Sequence, residues 1–227
     1  MTEHSSHSLR WRVIARRHPS AFLLAAQLLS LVLYPLLDGM DSGRVLFGAG
    51  GVLVLALVVW VVNRSPAVNW IAWMLAIPAV ACSLLSVLLG NNTLLVAASA
   101  LESLLYFYAA GSLIAYMMSD LRVTADELFA AGATFTLLAW AFAYAYLVCQ
   151  AWYPGSFTGV INPDQPRSWI ELLFLSFSTL SSVGIGDILP LSAPARVLVM
   201  IEQFAGVGYI AVVVSRLIGL TMLRHRE

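Results

Sequence analysis

Long apolar stretches dominate this sequence and constrain its fold more than any other feature. A helix needs about twenty predominantly apolar residues to cross the hydrocarbon core of a bilayer. Hydrophobic residues make up 60% of the 227 and charged residues only 11%, a balance that soluble domains of this size do not have. Six stretches approach the spanning length: residues 21–37, 45–62, 68–89, 94–118, 128–151 and 197–223. We therefore predict an all-α membrane protein with six transmembrane helices in a lipid bilayer.

The distribution of arginine predicts the orientation of these helices, because cytoplasmic loops retain positive charge. With the N-terminus inside, nine of the twelve basic residues are cytoplasmic, and only Arg44, Arg167 and Arg196 are external. An even number of spans returns the chain to the side on which it started. The sequence thus predicts a multi-pass protein of the cell inner (plasma) membrane with both termini in the cytoplasm.

Charge balance and the scarcity of reactive residues exclude several classes of function. Twelve basic residues offset twelve acidic ones, so the sequence predicts no surface for a nucleic-acid partner. Cys82 and Cys149 lie inside apolar stretches, where a small buried side chain is the expected role rather than a disulfide or a metal ligand. The sequence has no nucleophile beside a base, no metal-ligand cluster and no phosphate loop. We expect neither an enzyme nor a bound cofactor.

The segment between the fifth and sixth apolar stretches does not follow the pattern of the rest. A polar stretch at 153–167 is followed by an apolar run at 169–180, which is too short to span a bilayer and is predicted to be re-entrant. Next comes the sequence TLSSVGIGDILP at 179–190. Non-helical backbone at membrane depth is tolerated only inside protein or along a water-filled cavity. This segment is therefore the candidate functional site.

Residues 179–187 are similar to the potassium-channel signature, T-x-x-T-V-G-Y-G-D, and lie between two spanning helices as that signature does. The residues that match or nearly match it are Thr179, Ser182, Val183, Gly184, Gly186 and Asp187. The resemblance implies a homotetrameric pore in which backbone carbonyls replace the water shell of a permeant K⁺ ion. By resemblance, the ion ligands are the carbonyl oxygens of four residues, together with the hydroxyl of the first: Ser182, Val183, Gly184 and Ile185.

Other residues of the motif are expected to support this filter. Carbonyls of successive residues point the same way only if alternate residues adopt dihedral angles that glycine reaches at little energetic cost. This requirement explains why glycine is found at positions 184 and 186. Thr179 is expected to support the filter from the preceding helix. Asp187 would lie at the outer mouth, where it braces the filter and raises the local cation concentration.

Two departures from the signature affect the predicted selectivity. Ser182 keeps a hydroxyl where threonine is usual, whereas Ile185 replaces an aromatic residue that donates a phenolic hydrogen bond. The first hypothesis is therefore a potassium-preferring channel, and the alternative is a weakly selective cation channel that also passes Na⁺. A third alternative is an ion or small-solute transporter with a broken helix, although the first three spans show no second broken helix of the kind that inverted repeats produce.

The sixth stretch and two carboxylates placed within the spans leave further alternatives open. Gly206 and Gly208 lie about midway along a helix that resembles the inner helix of two-span channel pores, and could serve as a gating hinge or permit close packing. Glu202 is expected to brace the filter or to sense protons or ions. Glu102 is expected either to pack within the helical bundle or to have a function in it.

The first four spans resemble a voltage sensor in position but not in charge. Glu102 is the one ionisable residue of the fourth stretch, and the nearest arginine, Arg122, follows it. We therefore predict a cytoplasmic segment at 1–19, a peripheral four-helix bundle at 20–120 and a pore domain at 121–227 that begins with a capping box at Thr124 and Glu127. This organisation resembles bacterial six-span ion-channel proteins that lack voltage-sensor arginines, and voltage sensing is not expected.

Overall fold

The protein is mainly helical in the computed structural model, which describes residues 19–37, 43–62, 69–119 and 124–224. The elements in chain order are α1 (Pro19–Leu37), α2 (Gly43–Val62), α3 (Asn69–Leu89), α4 (Asn92–Met118), α5 (Ala125–Trp152), β1 (Phe157–Gly159), α6 (Trp169–Leu180), β2 (Ile188–Pro190) and α7 (Ala193–Arg224). The helical prediction is confirmed, with two three-residue strands as an addition that the sequence did not predict. The predicted cytoplasmic segment at 1–19 lies outside the described residues except for Pro19.

Each of the six apolar stretches is helical for most of its length. Four segments among the described residues are long and apolar enough to cross a membrane: Trp70–Leu89, Asn92–Met118, Asp126–Trp152 and Ala193–Val213. The apolar helices at Pro19–Tyr34 and Trp169–Leu180 are shorter. The structure therefore supports a membrane protein with several apolar helices, and the short length of α6 agrees with its prediction as a helix that does not span.

Helix α5 occupies the centre of the subunit and packs against α1, α4, α6 and α7. Small side chains make this possible, because they let neighbouring backbones approach closely in a membrane protein. Five alanines of α5 are completely buried: Ala130, Ala133, Ala139, Ala141 and Ala143. Large rings fill the remaining space, as where Phe107 of α4 meets Phe142 edge to face at 4.8 Å between ring centroids. Helix α5 therefore connects the peripheral helices to the segment that follows it.

One end of the bundle is joined by the carboxylate of Asp126. It accepts hydrogen bonds from the Ser20 amide at 3.2 Å and the Ser20 hydroxyl at 3.1 Å, and another from the Tyr116 hydroxyl at 3.4 Å. Half of the predicted capping box is also present, because Thr124 Oγ1 accepts the amide of Glu127 at 3.3 Å. The Glu127 carboxylate lies 3.9 Å from the guanidinium of Arg216 on α7. The starts of α1 and α5 and the ends of α4 and α7 are thus held together.

Candidate ion-conducting site

Helix α6 begins sharply because its first turn is capped from both directions. The hydroxyl of Ser168 accepts the Glu171 amide at 3.4 Å, and the Glu171 carboxylate accepts the Ser168 amide at 2.7 Å. This reciprocal arrangement is a capping box. Its signature, a serine followed three residues later by a glutamate, was available in the sequence and was overlooked. The cap fixes where the short helix starts.

Arg167 organises the loop that leads into α6, and only 4% of its surface is exposed. Its guanidinium donates to the carbonyl oxygens of Ile161, Asn162 and Gln165, and forms an ion pair with Glu171 at 3.0 Å. Its backbone exchanges two hydrogen bonds with the Gln150 side chain at the end of α5, at 2.8 and 2.9 Å. The sequence analysis used this residue only as an external charge and missed its structural role.

We expect the Arg167 and Glu171 pair to lose its stabilising effect in acid. Burial opposes ionisation of Glu171, but hydrogen bonds from Ser168 and the charge of Arg167 outweigh it and lower the pKa of this carboxyl below 4.5. A lowered pKa contributes stability that is present above the unfolded value and is lost as the pH falls through the folded one. The thermal unfolding midpoint of the wild type should therefore exceed that of Glu171→Gln by a constant amount at neutral pH, and the difference should shrink below about pH 4.5. A difference independent of pH would contradict this.

The segment after α6 has an alternating backbone conformation. Ser182, Gly184 and Gly186 have φ angles of +61°, +61° and +78°, whereas Val183 and Ile185 between them have no positive φ. Successive residues of opposite hand turn successive carbonyls toward the same side of the chain, which is the property that the glycines were expected to provide. Ser182 is one of only two described residues other than glycine with a positive φ. Such backbone strain tends to occur at functional sites.

Hydrogen bonds to the last turn of α6 fix the beginning of this segment. The amide of Ser182 donates to the Thr179 carbonyl at 3.0 Å, and the amides of Val183 and Gly184 both donate to the Ser178 carbonyl at 3.0 Å. In each bond the segment contributes its amide, which leaves its own carbonyl oxygens free to point elsewhere. Thr179 itself is buried. The predicted supporting role of Thr179 thus has a physical basis in its backbone.

The outer end of the segment is held by the small sheet. Strands β1 and β2 pair in antiparallel fashion with Gly159 opposite Ile188, and the Val160 amide donates to the Asp187 carbonyl at 3.2 Å. The Asp187 side chain is exposed. Its backbone therefore anchors this end of the segment, while its carboxylate is exposed in the single subunit.

Gly206 lies at the closest approach between α7 and the end of α6. A β-carbon at this position would be 2.1 Å from the carbonyl oxygen of Leu180, the last residue of α6. A β-carbon at Gly208 would have no atom within 4 Å. The geometry thus favours close packing over a hinge at Gly206, whereas it places no such demand on Gly208.

Glu202 is completely buried behind the site and joins three helices. Its carboxyl group is hydrogen-bonded to the hydroxyls of Tyr146 on α5 and Ser176 on α6. The Ser176 hydroxyl also lies 2.8 Å from the Ala139 carbonyl oxygen, to which it can donate. These contacts fit the bracing role considered from the sequence. Tyr146 and Ser176 themselves were missed, because nothing in the sequence relates residues so far apart.

Replacement of Glu202 should separate the effect of charge from that of hydrogen bonding. A glutamine can accept from Tyr146 and donate to Ser176, whose own proton then goes to Ala139, so Glu202→Gln should unfold within a few degrees of the wild type. Glu202→Ala leaves the buried Tyr146 hydroxyl without this acceptor, at a cost of about 1–3 kcal/mol, although Ser176 can still donate to the Ala139 carbonyl oxygen. Its thermal unfolding midpoint should fall clearly below that of Glu202→Gln. Equal midpoints for the two variants would contradict the bracing role.

Comparison with known proteins shows what the region around this site is similar to. A family model described as ion channel matches residues 132–222, which include most of α5, the whole of α6 and the segment after it, and most of α7. A stretch of 54 residues is also 37% identical to the potassium channel protein kcv of Paramecium bursaria Chlorella virus 1. This region is therefore similar to ion channels, a potassium channel among them. The predicted resemblance is thereby confirmed, and the matched family is one of channels rather than enzymes.

The extent of these similarities is limited. The aligned stretch amounts to 22% of this chain and 57% of the viral potassium channel protein, so the chain spans little more than half the length of that relative. The ion-channel match lies wholly within the predicted pore domain at 121–227. No solved structure matches the chain. The similarity to ion channels therefore concerns the part of the chain that contains the candidate site.

Proposed function

We propose that the chain is one subunit of a homotetrameric, potassium-preferring cation channel that conducts ions passively. The observation that carries the proposal is the alternating backbone after α6, with positive φ at Ser182, Gly184 and Gly186. The filter segment, defined here as residues 182–186, would present the carbonyls of residues 182–185 to dehydrating K⁺. Thr179 would support it from within, and Asp187 would attract cations at its outer end.

Electrostatics favour a cation as the permeant species. The filter segment offers carbonyl oxygens, which carry partial negative charge, and contains no charged side chain. It follows the C-terminus of α6, where the aligned peptide dipoles place further partial negative charge. The nearest charged residue in sequence is the acidic Asp187, which is exposed. Each of these features stabilises a cation and opposes an anion.

The shape of one subunit supports a homotetramer. A single filter segment provides only one side of a pore, and it leaves Val183 66% exposed. An apolar strip on α7 is exposed beside it, with Phe204 at 82% and Met200, Ile201 and Val207 above one half. A carbonyl ring around an ion needs four copies of the filter segment. Neighbouring copies would cover both the filter side chains and this strip.

The proposed arrangement places α1 to α5 and α7 across the inner (plasma) membrane, with both termini cytoplasmic and α6 re-entrant from outside. The bundle at 20–120 would surround the pore domain. Helix α4 carries Glu102 and no arginine, so moving it through the membrane field would transfer no basic charge. Conventional voltage sensing is therefore absent from the proposal.

A weakly selective cation channel is the second candidate, and Ile185 favours it. The Ile185 side chain is 59% exposed within the subunit and has no hydroxyl to donate to a neighbour. A filter without that hydrogen bond is less firmly held at the radius that suits K⁺. Whether packing of the isoleucine against an adjacent subunit replaces it determines the selectivity.

Single-channel recording distinguishes the two candidates. The full chain is reconstituted in a planar bilayer with K⁺ on one side and Na⁺ on the other, and Ile185→Tyr is recorded in parallel. Openings of the wild type should reverse close to the potassium equilibrium potential, and the tyrosine variant should differ little. Reversal near zero in the wild type, shifted toward potassium by Ile185→Tyr, would instead establish the weakly selective channel. A tetrameric protein that shows no openings with K⁺ on one side and Na⁺ on the other would contradict both candidate functions.

A further inference from the structure

A cavity of about 600 Å³ lies between the peripheral helices and the start of α6. Its walls come from α2, α3, α4, α5 and the loop that precedes α6, so it separates the bundle from the pore region. The volume is within the range of about 300–1,000 Å³ that is usual for small-molecule sites. Most of the wall surface is apolar, and its aliphatic residues include Leu55, Val80, Leu95, Val96 and Leu147. Nothing in the proposed conduction pathway requires such a space.

Glu102 supplies the one carboxyl group among the described residues of this largely apolar wall. The wall also contains polar side chains: Ser83, Asn92, Ser99, Gln150, Arg167 and Ser168. Glu102 of α4 lines the cavity and is 9% exposed, and Tyr144 of α5 forms a side-chain hydrogen bond with it. Tyr106 stacks on Tyr144 at 5.7 Å between ring centroids, and both rings line the cavity together with Trp169. A carboxylate at this depth is costly unless a cation pairs with it. Aromatic faces beside it attract the same kind of ligand.

The described residues of the cavity wall offer no free positive charge for an anion. Arg167 is the basic residue among the described residues of the wall. Its guanidinium is already bound by three carbonyl oxygens and by Glu171. An anionic headgroup would have to compete with all four of these acceptors. The chemistry of the cavity therefore favours a ligand with a positively charged group next to Glu102 and an apolar remainder.

We propose that this cavity binds a lipophilic organic cation, namely a protonated amine with an aliphatic tail. The ammonium group pairs with the Glu102 carboxylate beside the stacked rings of Tyr106 and Tyr144, and the tail lies along Leu95, Val96 and the facing wall. The amine can bind already protonated, or it can take the proton of a neutral Glu102. In both cases the bound pair is one ammonium and one carboxylate. The binding itself does not depend on ion conduction.

Occupation of the cavity would contact the first residue of α6. Trp169 lies 5.4 Å from Trp140, 5.9 Å from Tyr144 and 6.1 Å from Tyr34, measured between ring centroids. The amine would sit beside the ring cluster formed by these residues and would be in van der Waals reach of the helix that ends at the filter segment. A ligand here is thus placed to act on α6 from its capped end.

Calorimetry on the full chain in phosphatidylcholine nanodiscs tests the proposal, with empty nanodiscs subtracted. The probes are octylamine, octanol and octanoate, which share one chain length and differ in headgroup charge. Octylamine should bind saturably to the wild type, at least tenfold more tightly than octanol, and octanoate should not bind. Similar affinities for octylamine and octanol, or saturable octanoate binding, would overturn the proposal on the wild type alone.

Three variants locate the site. Glu102→Gln keeps the size of the side chain and should lower the affinity for octylamine at least tenfold, with little change in the affinity for octanol. Val96→Phe enlarges a wall residue and should lower the affinities for both octylamine and octanol. Asp164→Asn removes an exposed carboxylate of the external loop and should change neither. Unchanged octylamine affinity in Glu102→Gln would refute the assignment, and channel recordings of the same variant would show separately whether conduction remains.

Discussion

Replacing Gly206 by alanine should abolish conduction and destabilise the subunit more than any other single methyl addition to α7. The new β-carbon would be 2.1 Å from the Leu180 carbonyl oxygen, and a backbone atom cannot rotate away as a side chain can. Helix α7 must therefore shift away from the end of α6, to which the filter segment is hydrogen-bonded. Overpacking of this kind costs about 1–3 kcal/mol, and more where the backbone is rigid.

Gly208 provides a matched control on the same helix. A β-carbon there has no neighbour within 4 Å, so Gly208→Ala should leave the thermal unfolding midpoint and the single-channel conductance near those of the wild type. If Gly206 were a hinge rather than a packing contact, Gly206→Ala would alter the open probability and leave the unfolding midpoint unchanged. That result would refute the packing interpretation.

Replacing Gly184 or Gly186 by alanine should also abolish conduction, but with the tetramer intact. Both residues have a positive φ, which costs a residue with a β-carbon roughly 1–2 kcal/mol. The strain is relieved by rotation of the peptide, which turns a carbonyl oxygen away from the ion. Neither position has an atom within 4 Å of an added β-carbon in the subunit, so assembly should survive. Single-channel recording measures the first effect and size-exclusion chromatography with light scattering the second.

Gly155 separates backbone strain from position. It has a φ of +77° and an equally open surrounding, but it lies in the turn before β1 rather than in the filter segment. Gly155→Ala should therefore lower stability by a similar amount and still conduct. Normal currents from both Gly184→Ala and Gly186→Ala would show that residues 182–186 do not form the filter. Loss of current in Gly155→Ala alone would lead to the same conclusion.

The sequence was sufficient for the features that depend on local pattern. Apolar length located the helices, and the spacing of Gly184 and Gly186 predicted where the backbone would need positive φ. It was insufficient for contacts between distant residues. Nothing in a single sequence relates Glu202 to Tyr146, or shows that Gly206 meets Leu180, because these contacts arise only when α5, α6 and α7 pack. The two strands are too short to have a pattern of their own.

Local signals were also missed where they served structure rather than conduction. The serine and glutamate at 168 and 171 form a capping box, and Arg167 lies four residues before Glu171, a spacing typical of ion pairs on helices. Recognising them would have predicted the fixed start of α6. The burial of Arg167 could not have been predicted in the same way, because its carbonyl partners lie in an irregular loop.

The junction at Asp126 couples α1 and α4 mechanically to the start of α5. A covalent connection between two helices limits how far apart they can move but does not fix their relative position. Hydrogen bonds from Ser20 and Tyr116 to one carboxylate add a second, parallel coupling that also resists compression and shear. We therefore expect a displacement of α1 or α4 to move the start of α5 with it, so that in the proposed channel the surrounding helices would act on the pore through this junction.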